Sequence, residues 1–311
     1  MRWVTYRALD QTGTVDRIGL VIGEMIHALE GSDSLLGLLG DDGTALREAG
    51  ERARRFPAEI RAISDARLQA PIPRPPSIRD FSSFEDHYRA GLKAFGLEFD
   101  ERWYEAPMFY FSNNNVVIGD AVDVRFPRAS NQMDYEIEIA AIVGREGADI
   151  SSDEAEGYIA GYTIFNDWSA RDLLRTDLKR SLLGPSKGKD SNNGMGPFLV
   201  TADELLPRRT SKGFDLWMSA SVNGREYSRG NWATIHWSFS EMLAHASRDS
   251  RVVPGDVIAS GTVSTGCIME LSASHGAERY PYLEEGDEVV VAVEGLGELR
   301  NRVSRRPPPS R

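Results

Sequence analysis

A single cysteine, Cys267, is all that 311 residues contain. One thiol cannot close an intrachain disulfide, and it excludes a zinc site built from several cysteines. Positive charge is also scarce: 36 Lys and Arg stand against 47 Asp and Glu, for a net charge of −11. That balance argues against a phosphate-tracking surface and so against nucleic acid as the partner. No apolar run approaches the length needed to cross a bilayer, and residues 1–9 carry Arg2 and Arg7 without the apolar core of a secretion signal. No membrane partner and a cytoplasmic location are therefore expected. What is present, 41% hydrophobic and 27% charged residues, suits a globular chain with one large core or a small unit beside a large one. A small molecule is the natural partner.

Periodicity divides the chain unevenly. Residues 2–9 and 17–29 read as strands, and a charged helical pattern covers about 45–55. These form a small N-terminal β/α domain over residues 1–70. Prolines at 71, 73, 75 and 76 fix φ and remove N–H donors, marking a semi-rigid linker over 71–77. A larger domain spans 78–303, and residues 304–311, with Pro307, Pro308 and Pro309, read as a frayed tail. Within the large domain a short helix runs to Lys93, and strands recur at 106–111, 116–118, 157–165, 214–222 and 288–293. Asn223-Gly224 is a hairpin turn, and Ser238 to Glu241 has capping-box spacing. The glycine-bearing polar stretch 172–191 reads as a mobile loop. The whole is strand-dominated, mostly β with an α+β mixture.

The chemistry concentrates in Asp134-Tyr135-Glu136-Ile137-Glu138-Ile139. In a strand Glu136 and Glu138 share one face while Tyr135, Ile137 and Ile139 share the other, which makes a chelating edge unless the strand is half exposed with solvated glutamates. Asp167 ends another apolar strand and Asp80 precedes a turn leading to His87; either acid also suits a helix N-cap. Together, four carboxylates cannot share a pocket uncompensated, because mutual repulsion would raise their pKa values until some took up protons. A divalent cation resolves the conflict, and an all-oxygen set favours Mg²⁺, Mn²⁺ or Ca²⁺ over zinc.

Seven segments in order strengthen this reading: Asp80-Phe81 to His87, Pro107 to Tyr110, Asp134 to Glu138, Asn166 to Asp172, Gly188-Lys189, Gly261-Thr262 and Met269-Glu270-Leu271-Ser272. The pattern, over about residues 78–295, resembles the fumarylacetoacetate hydrolase family, which cleaves carbon–carbon bonds in dicarbonyl acids. The resemblance implies a mixed β-roll with a small N-terminal β domain, and a homodimer. It implies that Asp80, Glu136, Glu138 and Asp167 hold the metal, that His87 is the catalytic base and that Glu270 orients it. Arg171 and Lys189 match the cations around the substrate, with Lys187 as a rival for the second, and Tyr110 and Thr262 match substrate contacts. Two positions depart from the pattern: Ser82 stands where the fumarylacetoacetate-cleaving enzyme has tyrosine, and Leu174 where it has glutamine. The pocket therefore differs, and another acid is expected.

The residue chemistry fits these implied roles. A neutral imidazole takes a proton from water, and a carboxylate on its other nitrogen fixes the tautomer. Lys189 would stabilise the oxyanion, while the metal would hold the remaining dicarbonyl portion as an enolate leaving group. Arg171 would grip a substrate carboxylate or neutralise the acid cluster. The expected activity is metal-dependent hydrolysis of a carbon–carbon bond in a β-diketone or acylpyruvate-type acid. An isomerase, decarboxylase or dehydratase of a 2-oxo acid would use the same residues. A Ca²⁺-binding structural protein would use the acids and leave the His87 and Glu270 pairing without a purpose.

Overall fold

In the computed structural model, residues 1–9, 15–31, 34–180 and 184–305 are described. The strand Ile137–Val143 is buried along its whole length, so both of its faces must be covered, as its apolar run requires. It pairs antiparallel with Ile159–Asp167 on one side and Val257–Ala259 on the other. A twelve-stranded sheet grows outward from these three. Beyond Ile159–Asp167 come Asn193–Val200, Arg2–Ala8, Arg17–Ile22, Met25–Ala28 and Glu59–Ala62; beyond Val257–Ala259 come Ile78–Phe81 and Phe109–Phe111. The strands before residue 70 thus continue the central sheet through Arg2–Ala8, which bonds to Asn193–Val200.

A second sheet of five strands, in the order Arg225–Asn231, Trp217–Val222, Glu288–Val293, Gly297–Arg305 and Val124–Phe126, covers one face. There Ile137, Ile139 and Ile164 share a core with Met218, Val289, Val291 and Leu299. On the opposite face Ala140, Ile142 and Phe165 pack with Trp3, Leu46 and Ala49, the last two from the helix Thr44–Arg55. These packed sheets with few helices are the mostly β, α+β architecture that the sequence implies.

Several local expectations change. The strand anticipated over 17–29 folds back at Gly23, whose φ of 59° suits a residue without a side chain, and becomes the hairpin Arg17–Ile22 and Met25–Ala28. The loop anticipated over 172–191 starts instead as the helix Arg171–Arg180, with Leu174 and Leu178 one turn apart on a single face. Residues 181–183 of that stretch, and the prolines at 307–309 read as a tail, lie outside the described residues. Among the described residues no helix is long and apolar enough to cross a membrane.

Two connections position the site. The parallel pairing of Ile78–Phe81 with Val257–Ala259 sets Asp80 opposite Ala259, at the same end of the sheet where Ile137–Val143 begins and Ile159–Asp167 ends. The helices Glu85–Phe95 and Ile268–His275 then pack against each other over that end.

Candidate active site

Glu136, Glu138, Asp80 and Asp167 are all nearly inaccessible to solvent, which rules out a half-exposed strand with solvated glutamates. Asp80 lies within a strand and Asp167 at a strand end, so neither caps a helix. One carboxylate oxygen each of Asp80, Glu138 and Asp167 falls within 4.8 Å of the other two. Tyr110 ties two of them together, its hydroxyl oxygen standing 3.0 Å from Asp80 Oδ2 and 2.6 Å from Asp167 Oδ2. Glu138 accepts from the Gly261 amide at 3.0 Å and from Thr262 Oγ1 at 3.3 Å. Gly261 adopts a φ of 76°, and a Cβ there would fall 2.2 Å from the Phe81 carbonyl oxygen, so only glycine brings this amide to Glu138. Tyr110 and Thr262, matched to substrate contacts by resemblance, here hold acids.

Glu136 faces a different company. Arg171 Nη2 stands 2.8 Å from Glu136 Oε1, and the Lys189 ammonium bridges Glu136 Oε2 and Asp167 Oδ2. Lys187 is exposed and pairs with Asp190, so Lys189 is the lysine the fold places among the acids. The loop before it is pinned by Asp177, which accepts the amides of Ser186 at 3.1 Å and Gly188 at 2.8 Å.

Burial and charge separate these groups electrostatically. Burial, reinforced by the carboxylate of Asp167, pushes Asp80 well above the usual range, and burial with Asp80 and Asp167 does the same to Glu138. Burial also raises Asp167, against the opposing pull of Lys189. Glu136 goes the other way: its burial is outweighed by Lys189, Arg171 and His87, and its pKa is lowered. Asp80, Glu138 and Asp167 are therefore a trio short of positive charge, and Asp167 Oδ1 is buried with no hydrogen-bond partner. An orphaned buried carboxylate oxygen beside two others fits a hard divalent cation such as Mg²⁺, Mn²⁺ or Ca²⁺.

His87 sits beside the trio. His87, in the helix Glu85–Phe95, has Nδ1 3.0 Å from Glu270 Oε2 in the helix Ile268–His275 and Nε2 3.9 Å from Glu136 Oε1. Burial pulls the imidazole down, but the Glu270 and Glu136 carboxylates outweigh it, and the pKa lies above the ordinary 6.5. Cys267 Sγ stands 3.5 Å behind Glu270 Oε2. The cysteine is buried, as a small apolar side chain would be, and burial raises its thiol well above the usual value.

The sequence reading gave no role to Asp134. It is wholly buried, pairs with Arg171 Nε at 2.7 Å, and accepts the amides of Ile268 at 2.7 Å and Met269 at 3.0 Å. One carboxylate thus anchors both the arginine beside Glu136 and the first turn of the helix that carries Glu270. The signal was available, because Asp134 shares the two-residue alternation of Glu136 and Glu138. Arg171, expected to grip substrate or neutralise the acids, pairs with Asp134 and Glu136 at the cavity wall.

Asp80, Glu136, Glu138, Asp167, His87, Arg171 and Lys189 open into one cavity of about 560 Å³ between the sheet end and the helices Glu85–Phe95 and Arg171–Arg180, while Asp134 and Glu270 stand behind its wall. Comparison with known proteins agrees in kind. The family model described as "Fumarylacetoacetate (FAA) hydrolase C-terminal" matches residues 77–304. The chain is 30% identical over 244 residues to the oxaloacetate tautomerase YisK of Bacillus subtilis (strain 168), covering 78% of this chain and 74% of that one. It is 28% identical over 267 residues to the human mitochondrial oxaloacetate tautomerase FAHD2A, covering 85% and 77%. The structure of the fumarylacetoacetate hydrolase EaFAH from Exiguobacterium antarcticum superposes with a TM-score of 0.72 at 26% identity, covering 98% of this chain and all of that one.

Proposed function

Starting from the chain's membership of the fumarylacetoacetate hydrolase family, whose members are enzymes acting on small acids, we propose that this protein is a keto–enol tautomerase or isomerase of a 2-oxo acid. The observation that carries the reading is the His87 and Glu270 pair set against the trio Asp80, Glu138 and Asp167. The two tautomerases similar to this chain make proton transfer the leading chemistry, ahead of the carbon–carbon hydrolysis expected from the sequence.

Asp80, Glu138 and Asp167 would hold the divalent cation, with Glu136 as the fourth carboxylate beside them. When bound, the cation supplies a Lewis acid that makes the carbon next to a keto group more acidic. His87 Nε2 takes the proton from that carbon, and Glu270 holds the ring through Nδ1 and stabilises the imidazolium. The same nitrogen returns the proton to the enol oxygen, so the substrate is isomerised with no net change in atoms. Lys189 donates to the oxygen on which negative charge gathers, and Arg171 keeps Glu136 ionised.

Hydrolysis of a carbon–carbon bond is the second reading. Its support is the dyad itself, which can equally take a proton from water, together with the likeness to the hydrolase structure. Following solvent deuterium into the substrate's C3 position, against solvent ¹⁸O into a new carboxylate, separates the two. A homodimer remains part of the proposal, checked by light scattering in solution.

A further inference from the structure

The acid end of the cavity and its outer end differ in chemistry. Away from the carboxylates the wall is formed by Leu92 and Phe95 from the helix Glu85–Phe95, Leu174 and Leu178 from the helix Arg171–Arg180, and Met108 and Met269. Gly91 widens this part, because a Cβ there would meet only Met269 Cε, at 4.0 Å. Among the described residues lining the cavity, Arg171 and Lys189 are the only arginine and lysine. Both are committed at the inner end, Arg171 to Asp134 and Glu136, and Lys189 to Glu136 and Asp167.

A substrate whose 2-oxo acid head enters at the carboxylate end must lay its far end along leucine, methionine and phenylalanine. A second carboxylate there would give up part of its water against an apolar wall and meet no arginine or lysine, an uncompensated cost. An alkyl or aryl group would instead exchange water for apolar contact. The volume, about 560 Å³, is of the size that takes a whole drug-like ligand and exceeds the need of a four-carbon diacid.

Building on the 2-oxo acid reading, we infer that the substrate is a monocarboxylate whose tail is apolar, an alkyl- or aryl-substituted 2-oxo or 2,4-dioxo acid, and that dicarboxylates are disfavoured. This narrows the pocket's choice to one side of a class that includes both kinds of acid.

The test separates the tail from the reaction. Unreactive analogues with a shared head, N-butyl oxamate, N-benzyl oxamate and N-oxalylglycine, are titrated calorimetrically into the Mg²⁺-loaded protein. In parallel, 2,4-dioxo acids ending in propyl, phenyl or carboxylate are compared by kcat/KM. The alkyl and aryl members should win in both assays by about tenfold or more. Leu178→Arg, at the partly exposed mouth, should narrow the gap by improving binding of N-oxalylglycine. Equal or better binding of N-oxalylglycine by the wild type overturns the tail assignment. If the analogues bind in the expected order and no dioxo acid reacts, the tail assignment stands and the proposed reaction falls. If no analogue binds, the 2-oxo acid reading falls and the tail assignment with it.

Discussion

His87 Nδ1 lies 3.0 Å from Glu270 Oε2, although the two residues are 183 positions apart and come from different helices. With Nδ1 facing a carboxylate, Nε2 is left as the nitrogen that exchanges a proton in the cavity. His87→Ala should lower kcat by about 10²- to 10⁴-fold with little change in thermal stability. Steady-state kinetics with Mg²⁺ or Mn²⁺, alongside thermal melting, check this; a variant that keeps wild-type kcat contradicts the role.

The same contact sets the pH dependence. His87 acts as a base when neutral, so kcat/KM should rise with pH through the histidine's pKa and then level off. Because Glu270 and Glu136 hold that pKa above 6.5 against the effect of burial, the acid limb should lie above the ordinary histidine value. Glu270→Gln removes the larger of the two attractions, and burial then pulls the limb to lower pH. Glu270 acts through His87, so a fall in kcat with an unmoved limb would mark it as merely structural.

Metal binding should be visible without turnover. Asp80, Glu138 and Asp167 repel one another and are raised by burial, so Mg²⁺ or Mn²⁺ should increase the melting temperature of the wild type and EDTA should reverse the gain. Asp167→Asn should abolish most of the metal-dependent increment while folding on its own, since it removes one of the mutually repelling charges. An increment unchanged in Asp167→Asn would place the cation elsewhere.

Arg171 is almost entirely buried between Asp134 and Glu136. Arg171→Ala leaves buried Asp134 without its cation and Glu136 with Lys189 alone, and should cost about 3–5 kcal/mol in urea unfolding. Arg171→Lys should recover part of that, because it restores charge without the two-pronged geometry.

Gly261→Ala probes the backbone. The added methyl would collide with the Phe81 carbonyl in a left-handed conformation, so the variant should lose more than about 1 kcal/mol of stability and weaken metal binding through Glu138. Differential scanning calorimetry with and without Mg²⁺ reads both effects.

How much of this was legible in the sequence depended on how local each cause is. Glu138 stands in the strand Ile137–Val143 and Glu136 just before it, so the expected period of two runs past the strand's start, and Tyr135, Ile137 and Ile139 do point into the core as that period requires. Asp134 obeys the same period, yet its partners are Arg171 and the amides of Ile268 and Met269, which only the folded chain brings near. The helix Arg171–Arg180 was hidden because its apolar face is just Leu174 and Leu178, pointing into a cavity among mostly charged neighbours. The helix Ile268–His275 is short and lacks a side-chain cap of its own; Asp134 supplies the acceptor from across the sheet. The apolar outer wall was equally distant, since its six side chains come from four separate segments.

Proton transfer at carbon by His87 is the central step of the proposed reaction, and one experiment reaches it directly. A 2,4-dioxo acid with a propyl tail is incubated with the Mg²⁺-loaded enzyme, in D₂O and separately in H₂¹⁸O, and followed by NMR and mass spectrometry. The prediction is enzyme-dependent deuterium exchange at C3, lost in His87→Ala, with no ¹⁸O in a new carboxylate. Carbon–carbon cleavage with ¹⁸O in the released acid, and no enzyme-dependent exchange at C3, would contradict it.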